Sequence, residues 1–502
     1  MEPEGCSGMN DRGTRIQPRY GERLRNGHLA ARGRGGRRSP PFPVAQSGSM
    51  TPTPRRTGGL AALIVAVVVA ACGPSTPSPA AVSASPTAAA TPTTGPLESS
   101  APVPSASGST AVCDDTVSGA PATSDANDPN APTYAEIEGQ VEQLRGITAT
   151  TPVARGVFDT AGLCTYLRES FRRDNPEELV LATERLYKEL GLLPQDASLE
   201  QLYLDLLTSQ VAGLYDDESK HMYVVSQTGA IGPTEEITYA HEYTHALQDQ
   251  RFGLKSFVGE ATDQSDQTLA RVTVVEGDAT LLMTLWAQAN LTPAELGQVA
   301  GSVDPASQEL LASMPAILKD PLEFPYVQGL QLTFAAFQGS GFDGVDALYA
   351  SPPETTEQVL HPEKLQSREP PVAVAFPDEL AQHLGDGWTV ALQDTFGEML
   401  LEVLLRDGGA SGAAQAAAGW GGDRVALLEG PDGEAAVVID TTWDTEADAG
   451  EFADALGPTV DKLIGLERSP SVLRPAPDRV VLVTATSLDT LALVANAMGL
   501  AG

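Results

Sequence analysis

Residues 241–245 read His-Glu-Tyr-Thr-His, and no other stretch of this 502-residue chain restricts its fold so tightly. Two histidines with three residues between them share a face, one turn apart, only if the segment is an α-helix. Glu242, beside the first imidazole, then reaches the space at which both rings aim. This is the mechanical content of an H-E-x-x-H helix: two neutral nitrogen ligands for a metal, and a carboxylate placed to take a proton from water. The flanks agree with a helix. Gly232-Pro233-Thr234 makes a loop with Thr234 as N-cap, Glu235 and Glu236 suit the positive end of the first turn, the helix runs to Arg251, and Gly253 stops it.

A catalytic metal of this kind takes a third protein ligand and leaves one position open. The candidate is Glu276, in Val274-Val275-Glu276-Gly277-Asp278 at the centre of a long helix expected over Ser265–Ala289. A lone carboxylate preceded by Val272, Val274 and Val275 is poorly placed to be solvated, and a metal would satisfy it. The alternative is a carboxylate on a polar helix edge. Gly277 would permit a neighbouring helix to approach closely.

The N-terminal stretch carries an address rather than a fold. After Met50 come Arg55 and Arg56, an apolar run from Leu60 to Ala71, and Cys72. That is signal-peptide anatomy, and the run falls short of the roughly 20 residues of a membrane span. Val69-Ala70-Ala71-Cys72 resembles a bacterial lipobox, which implies diacylation of Cys72 and attachment to the extracytoplasmic face of the membrane. Residues 1–49, rich in Gly, Arg and Pro, are expected to be a leader without a fold, and 50–71 a signal peptide. Residues 72–132 are Ala, Pro, Ser and Thr with almost no large apolar side chains, which suits a disordered tether. In an exported chain the remaining cysteines, Cys113 and Cys164, form either a disulfide or two separate thiols. Nucleic acid is not an expected partner. The net charge is -35, and the eleven arginines of residues 1–59 leave the rest more acidic still. Oligomeric state leaves no trace in the sequence.

Hydrophobic spacing predicts an α+β protein. Helices are expected at 134–144, 160–171 and 176–190, then a hairpin over 213–225 whose second strand is His221–Val225, then the two long helices. Beyond residue 386 the texture becomes that of a smaller α+β unit. It has helices at Phe396–Arg406 and Ala447–Leu456, strands at Arg424–Leu428, Ala435–Trp443 and Arg479–Thr486, and a last helix ending at Met498. The flanking glycines of Trp420 suggest a tight turn presenting the indole, or a tryptophan packed on that turn.

HEYTHALQD resembles the active-site helix of thermolysin-like gluzincins. The set VAGLYDDESKHMYVV, AHEYTHALQDQRF, VVEGDAT, PPETTEQVLHPEKL, AAAGWGGDR and TTWDTEADAGEFADAL resembles a poorly characterised family of exported bacterial and archaeal HExxH proteins, over about residues 140–460. The resemblance implies a mostly helical zincin-like metallopeptidase domain at 133–385 with a small β-sheet, followed by the α+β unit at 386–502. It implies Zn2+ held by His241, His245 and Glu276, Glu242 as general base, and a peptide or protein substrate. Tyr326 and His361 are candidates for the donor that stabilises the oxyanion, and His221–Val225 for the edge strand that pairs with an extended substrate. One position departs from the gluzincin pattern. Thr280 stands where an aspartate would orient the first histidine, Asp278 would point to the opposite helix face, and Asp249 could help hold the metal helix. The other functional reading is a non-catalytic zinc-binding envelope lipoprotein on the same scaffold.

Overall fold

The structure is a computed structural model. It describes Cys113, residues 118–120, 128–225, 231–259, 261–302, 305–465 and 470–500, and the backbone of two short strands, Val65–Val67 and Ala122–Thr123. The expected leader, the rest of the signal peptide, Cys72 and most of the tether lie outside the described residues. Among the described residues no helix is long and apolar enough to cross a membrane. The architecture is α+β, helical first and sheet-rich later.

The lead-in comprises α1 (Ala131–Arg145), β1 (Ala154–Phe158), α2 (Thr160–Asp174), α3 (Glu177–Glu189) and α4 (Leu199–Gln210). Local signals set several of the ends: Asp159 and Ser198 accept the N–H groups of Gly162 and Gln201 as N-caps, and Gly146 closes α1 in the left-handed conformation. Cys164 of α2 is disulfide-bonded to Cys113.

The hairpin follows as β2 (Val211–Asp216) and β3 (His221–Val225), antiparallel with Leu214 opposite Tyr223. β1 joins the far side of β3 in parallel, Gly156 opposite Tyr223. The order β2-β3-β1 places β3 inside the sheet, so the expectation that His221–Val225 offers a free edge is corrected. Its cause is β1, whose five residues, Ala-Arg-Gly-Val-Phe, are too short and too mixed to stand out as a strand. The outer side of β2 is paired in turn by the backbone of Val65–Val67, antiparallel, Ala66 opposite Gly213.

The H-E-x-x-H helix is α5 (Pro233–Phe252), and every residue from Ile237 to Asp249 is buried. A helix enclosed on all sides needs apolar neighbours all round. Ile137 and Val141 of α1, Met222 and Val224 of β3, and Leu282 and Trp286 further along the chain form one cluster with it. The helix starts two residues earlier than expected. Pro233 takes the first helical position with its preset φ, which makes Gly232 the N-cap, and Glu235 accepts the Gly232 N–H at 3.0 Å. Thr234 is therefore inside the first turn, and its hydroxyl bonds Ser302. Gly253 ends the helix in the left-handed region, as expected.

The second long helix, α6 (Ser265–Asn290), crosses α7 (Ala316–Ser340) at two glycines. A Cβ on Gly277 would lie 2.3 Å from the Gly329 carbonyl oxygen, and one on Gly329 would lie 2.4 Å from that of Thr273. The two backbones are therefore in direct contact, with the Thr333 hydroxyl donating to the Gly277 carbonyl across the crossing at 2.9 Å.

The rest is β4 (Thr389–Asp394), α8 (Gly397–Asp407), β5 (Trp420–Glu429), β6 (Ala435–Trp443), α9 (Glu446–Leu463), β7 (Ser471–Ala476), β8 (Arg479–Ala485) and α10 (Leu488–Ala497). The sheet is antiparallel throughout, in the order β4-β5-β6-β8-β7. Both faces are covered. Val425 and Leu427 pack towards α8 and α9, while Ala426 and Leu428 pack towards α10, as a period of two requires. The first of these cores runs on without a break into Leu186 of α3 and Ile317 and Leu318 of α7. Trp420 starts β5 instead of capping an exposed turn: its indole is buried, and its N–H donates to Asp423 at 3.0 Å.

Gly277→Ala is expected to lower the unfolding free energy by about 1–3 kcal/mol, the cost of overpacking. On an exposed helix the same change raises it by up to about 1 kcal/mol. Chemical denaturation reads the sign.

Candidate metal centre

His241, Glu242 and His245 leave α5 one turn apart, and Glu276 reaches them from α6. All four are buried. The ligand atoms of His241, His245 and Glu276 lie within 4.8 Å of one another. His241 Nε2 is 3.0 Å from His245 Nε2 and 3.2 Å from Glu276 Oε2, and His245 Nε2 is 3.4 Å from that same oxygen. Two nitrogens and a carboxylate oxygen at these separations fit a single metal ion. Tetrahedral ligands about 2.1 Å from such an ion stand roughly 3.4 Å from each other.

Charge tells the same story. Burial raises the cost of the Glu276 carboxylate, but His245 and then His241 outweigh it and hold its pKa at about 2. Burial pulls the His245 pKa down and the Glu276 carboxylate more than offsets this, lifting it to about 9. For His241 burial wins, and its pKa is lowered. Glu242 is pushed up to about 8 by burial. Both of its oxygens are buried without a partner at full hydrogen-bond geometry, and the Tyr215 N–H of β2, near the carboxylate, offsets only part of the rise. A buried carboxylate with no donor is costly unless something else is meant to meet it.

Gly213 lets β2 come this close. A Cβ there would lie 3.1 Å from Glu242 Cγ and 2.7 Å from Thr238 Cγ2.

Support for the ligands comes through a residue the sequence reading passed over. Gln248, one turn after His245, takes the His245 Nδ1 hydrogen at 2.8 Å through Oε1. Its Nε2 donates to the Val275 carbonyl and to Asp278 Oδ2, each at 3.0 Å. The carboxylate that orients a histidine is thus Asp278, acting through an amide. Asp278 points away from Glu276, as the helix period requires, and Gln248 spans the difference. Arg145 of α1 grips Asp278 with Nε at 2.9 Å and Nη2 at 3.1 Å, and the Tyr349 hydroxyl donates at 3.0 Å. The sequence signal was present: Gln248 is a long polar side chain at a position three after His245 on a helix with no polar face. Asp249 accepts from Tyr215 at 2.9 Å and from Lys220, tying α5 to the hairpin. Thr280 is buried with its hydroxyl oxygen unpartnered, and so is His241 Nδ1.

Tyr326 of α7 joins the centre, with its ring 6.2 Å from that of His241. His361 does not. It pairs with Glu398 of α8 at 2.8 Å and has no contact with the metal-binding triad among the described residues. Beside Glu276 and Tyr326 lies a cavity of 220 Å³ with mainly apolar walls.

Residues 388–495, the sheet-rich part, match the model of a family described as a domain of unknown function, DUF8575. No curated protein and no solved structure matches the chain.

Two outcomes are expected. A metal requires neutral imidazoles, and the metal-free centre keeps a proton on His245 below about pH 9. Metal uptake should therefore release a proton and weaken about tenfold for each unit the pH falls below that value, which titration in two buffers of different ionisation enthalpy would register. Gln248→Leu should weaken metal binding by about 10–100-fold with the fold intact, as competition against a chromophoric chelator would show.

Proposed function

We propose that the protein is an extracytoplasmic zinc metallopeptidase, held to the membrane by a lipid on Cys72. The observation that carries this reading is the buried His241–His245–Glu276 group, with the unpartnered carboxylate of Glu242 beside it. Two imidazoles and a carboxylate are the donor set of catalytic rather than structural zinc, because they leave a coordination position open. Bound there, zinc supplies Lewis acidity, acidifying water and polarising the carbonyl under attack. The resemblance to thermolysin-like gluzincins and to exported HExxH proteins points the same way.

The work of the chain's own groups follows from their placement. Glu242 takes the proton of the attacking water, and burial makes it a better base than an exposed glutamate. The same carboxyl then delivers the proton to the leaving nitrogen. Gln248 fixes the His245 ring so that Nε2, not Nδ1, faces the metal position. Tyr326, whose ring stacks 6.2 Å from that of His241, remains the candidate donor to the developing oxyanion. The outer side of β2, which cleavage before Cys72 would free of Val65–Val67, is a docking line for an extended peptide next to Glu242. A disulfide in the folded body supports an oxidising, extracytoplasmic location.

The purified protein should hold one zinc per chain and cleave members of a mixed peptide library in a chelator-sensitive way. Glu242→Gln should keep the zinc and lower kcat by at least about 1,000-fold. Retained zinc with no cleavage by the wild-type chain would turn the reading towards a non-catalytic zinc-binding envelope lipoprotein.

A further inference from the structure

A second cleft, of 690 Å³, lies away from the metal and serves none of the chemistry above. Asp266, in its wall, precedes Glu276 by ten residues of α6, roughly 15 Å along the helix axis. β5 contributes Gly422 and Arg424, β4 contributes Val390 and Gln393, and the segment Pro371–Pro377 lines it along its whole length. Sites for small ligands typically measure about 300–1,000 Å³, so the cleft has the size of a binding site rather than a packing fault.

The segment Pro371–Pro377 is a strand without a partner. It runs with no helix, turn or bend, and Val374 and Phe376 are half-buried while Ala373 and Ala375 are exposed, the alternation of an extended chain. It touches the sheet at Val372, whose N–H donates to the Gly421 carbonyl at 2.7 Å and whose oxygen lies 2.1 Å from where a Cβ on Gly422 would be. From Ala373 to Phe376 the backbone makes no hydrogen bond among the described residues. In an extended chain alternate residues present N–H and C=O to the same side, so Val374 repeats the direction of Val372 and finds nothing to bond. A row of unpaired backbone groups is a template for adding a further strand.

Charge says which strand. The lining carries five carboxylates, on Asp266, Glu354, Asp378, Glu379 and Asp423, against one guanidinium, Arg424, which already pairs with Asp263 at 2.7 Å. Asp423 is spent on the N–H groups of Phe396, Gly397 and the Trp420 indole, and Glu354 on Arg271. Asp266 is only half spent. It is 2% exposed, its Oδ1 accepts the Thr356 N–H and hydroxyl, and its Oδ2 accepts nothing among the described residues and is not sealed from solvent. Burial pushes the Asp266 carboxyl well above the usual carboxylate range, and a cation at the open oxygen would reverse that.

We infer that this cleft binds an extended peptide carrying lysine or arginine: the peptide lies along Pro371–Pro377, pairs with the N–H and carbonyl of Val374, and sends one basic side chain to Asp266 Oδ2. The backbone pairing sets the direction of the peptide and the acidic lining selects its charge. The site is separate from the metal centre and does not depend on the peptidase reading.

The test uses the full Glu242→Gln chain, which leaves any peptide whole, with fluorescein-labelled Ala-Lys-Ala-Lys-Ala and Ala-Glu-Ala-Glu-Ala read by fluorescence anisotropy. The lysine peptide should bind at least about tenfold more tightly, and less tightly as salt is raised. Asp266→Asn, which keeps an acceptor for Thr356, should cost about tenfold or more, as the loss of a charged hydrogen bond does. Val374→Pro should cost a similar factor by removing the N–H that faces the peptide, whereas Ala375→Pro, whose N–H points the other way, should leave affinity within about twofold. Should a proline variant fail to fold, the native segment is probed with the lysine peptide N-methylated at alternate nitrogens. One register of methylation should then abolish binding and the other preserve it. Equal binding of the two peptides, or a lysine preference that Asp266→Asn leaves unchanged, overturns the inference. Tolerance of N-methylation in both registers overturns it too, because charge alone would then hold the peptide.

Discussion

Asp278 is fully buried and charged, and four elements converge on it to make that tolerable. Arg145 comes from α1, Gln248 from α5, the aspartate itself from α6, and Tyr349 from the helix Phe342–Ala350. Removing one partner of such a pair costs about 3–5 kcal/mol because the other charge is left uncompensated. That sum is a large share of the stability of a typical domain. The network therefore fixes where α1 and α5 lie against α6, and His245 hangs from it through Gln248. The metal position is set by a charge one amide away from the nearest ligand.

The glycine crossing supplies the matching constraint on the other side of α6. With α7 in backbone contact at Gly277 and Gly329, Tyr326, one turn before Gly329, comes to the His241 ring. Position 276 thus faces the metal site, 277 the neighbouring backbone and 278 the buried ion pair. Three consecutive residues serve three directions, which is why α6 has no polar side and few positions free to vary.

Much of this was legible in the sequence because it is local. The helix α5, its stop at Gly253, the reach of α6 and the close approach at Gly277 follow from spacing or from residue type, whereas the sequence left Cys113 and Cys164 open between a disulfide and two thiols until the structure joined them. What escaped depends on partners far away along the chain. Arg145 and Asp278 stand 133 positions apart, and neither reveals the other. β1 escaped because five residues containing Arg and Gly carry no strand pattern, and with it went the knowledge that β3 is an inner strand, between β1 and β2. Of the two readings of Trp420 the packed one holds, and the role of Gly422 is what the sequence did not show: it admits the Val372 carbonyl against β5, an oxygen that a Cβ there would overlap. His361 looked isolated because its partner, Glu398, lies on a helix that arrives 37 residues later.

The disulfide has a mechanical meaning. Cys164 precedes Leu167 by one turn of α2 and Phe171 by two, and those two side chains form a wall of the cavity beside Glu276. Tension on the chain before Cys113 enters the folded body through that covalent link, so α1 and everything between the two cysteines lie off the path of the force. A pull on that segment would be felt first on the helix that shapes the cavity, before α5 and α6, which carry His241, His245 and Glu276.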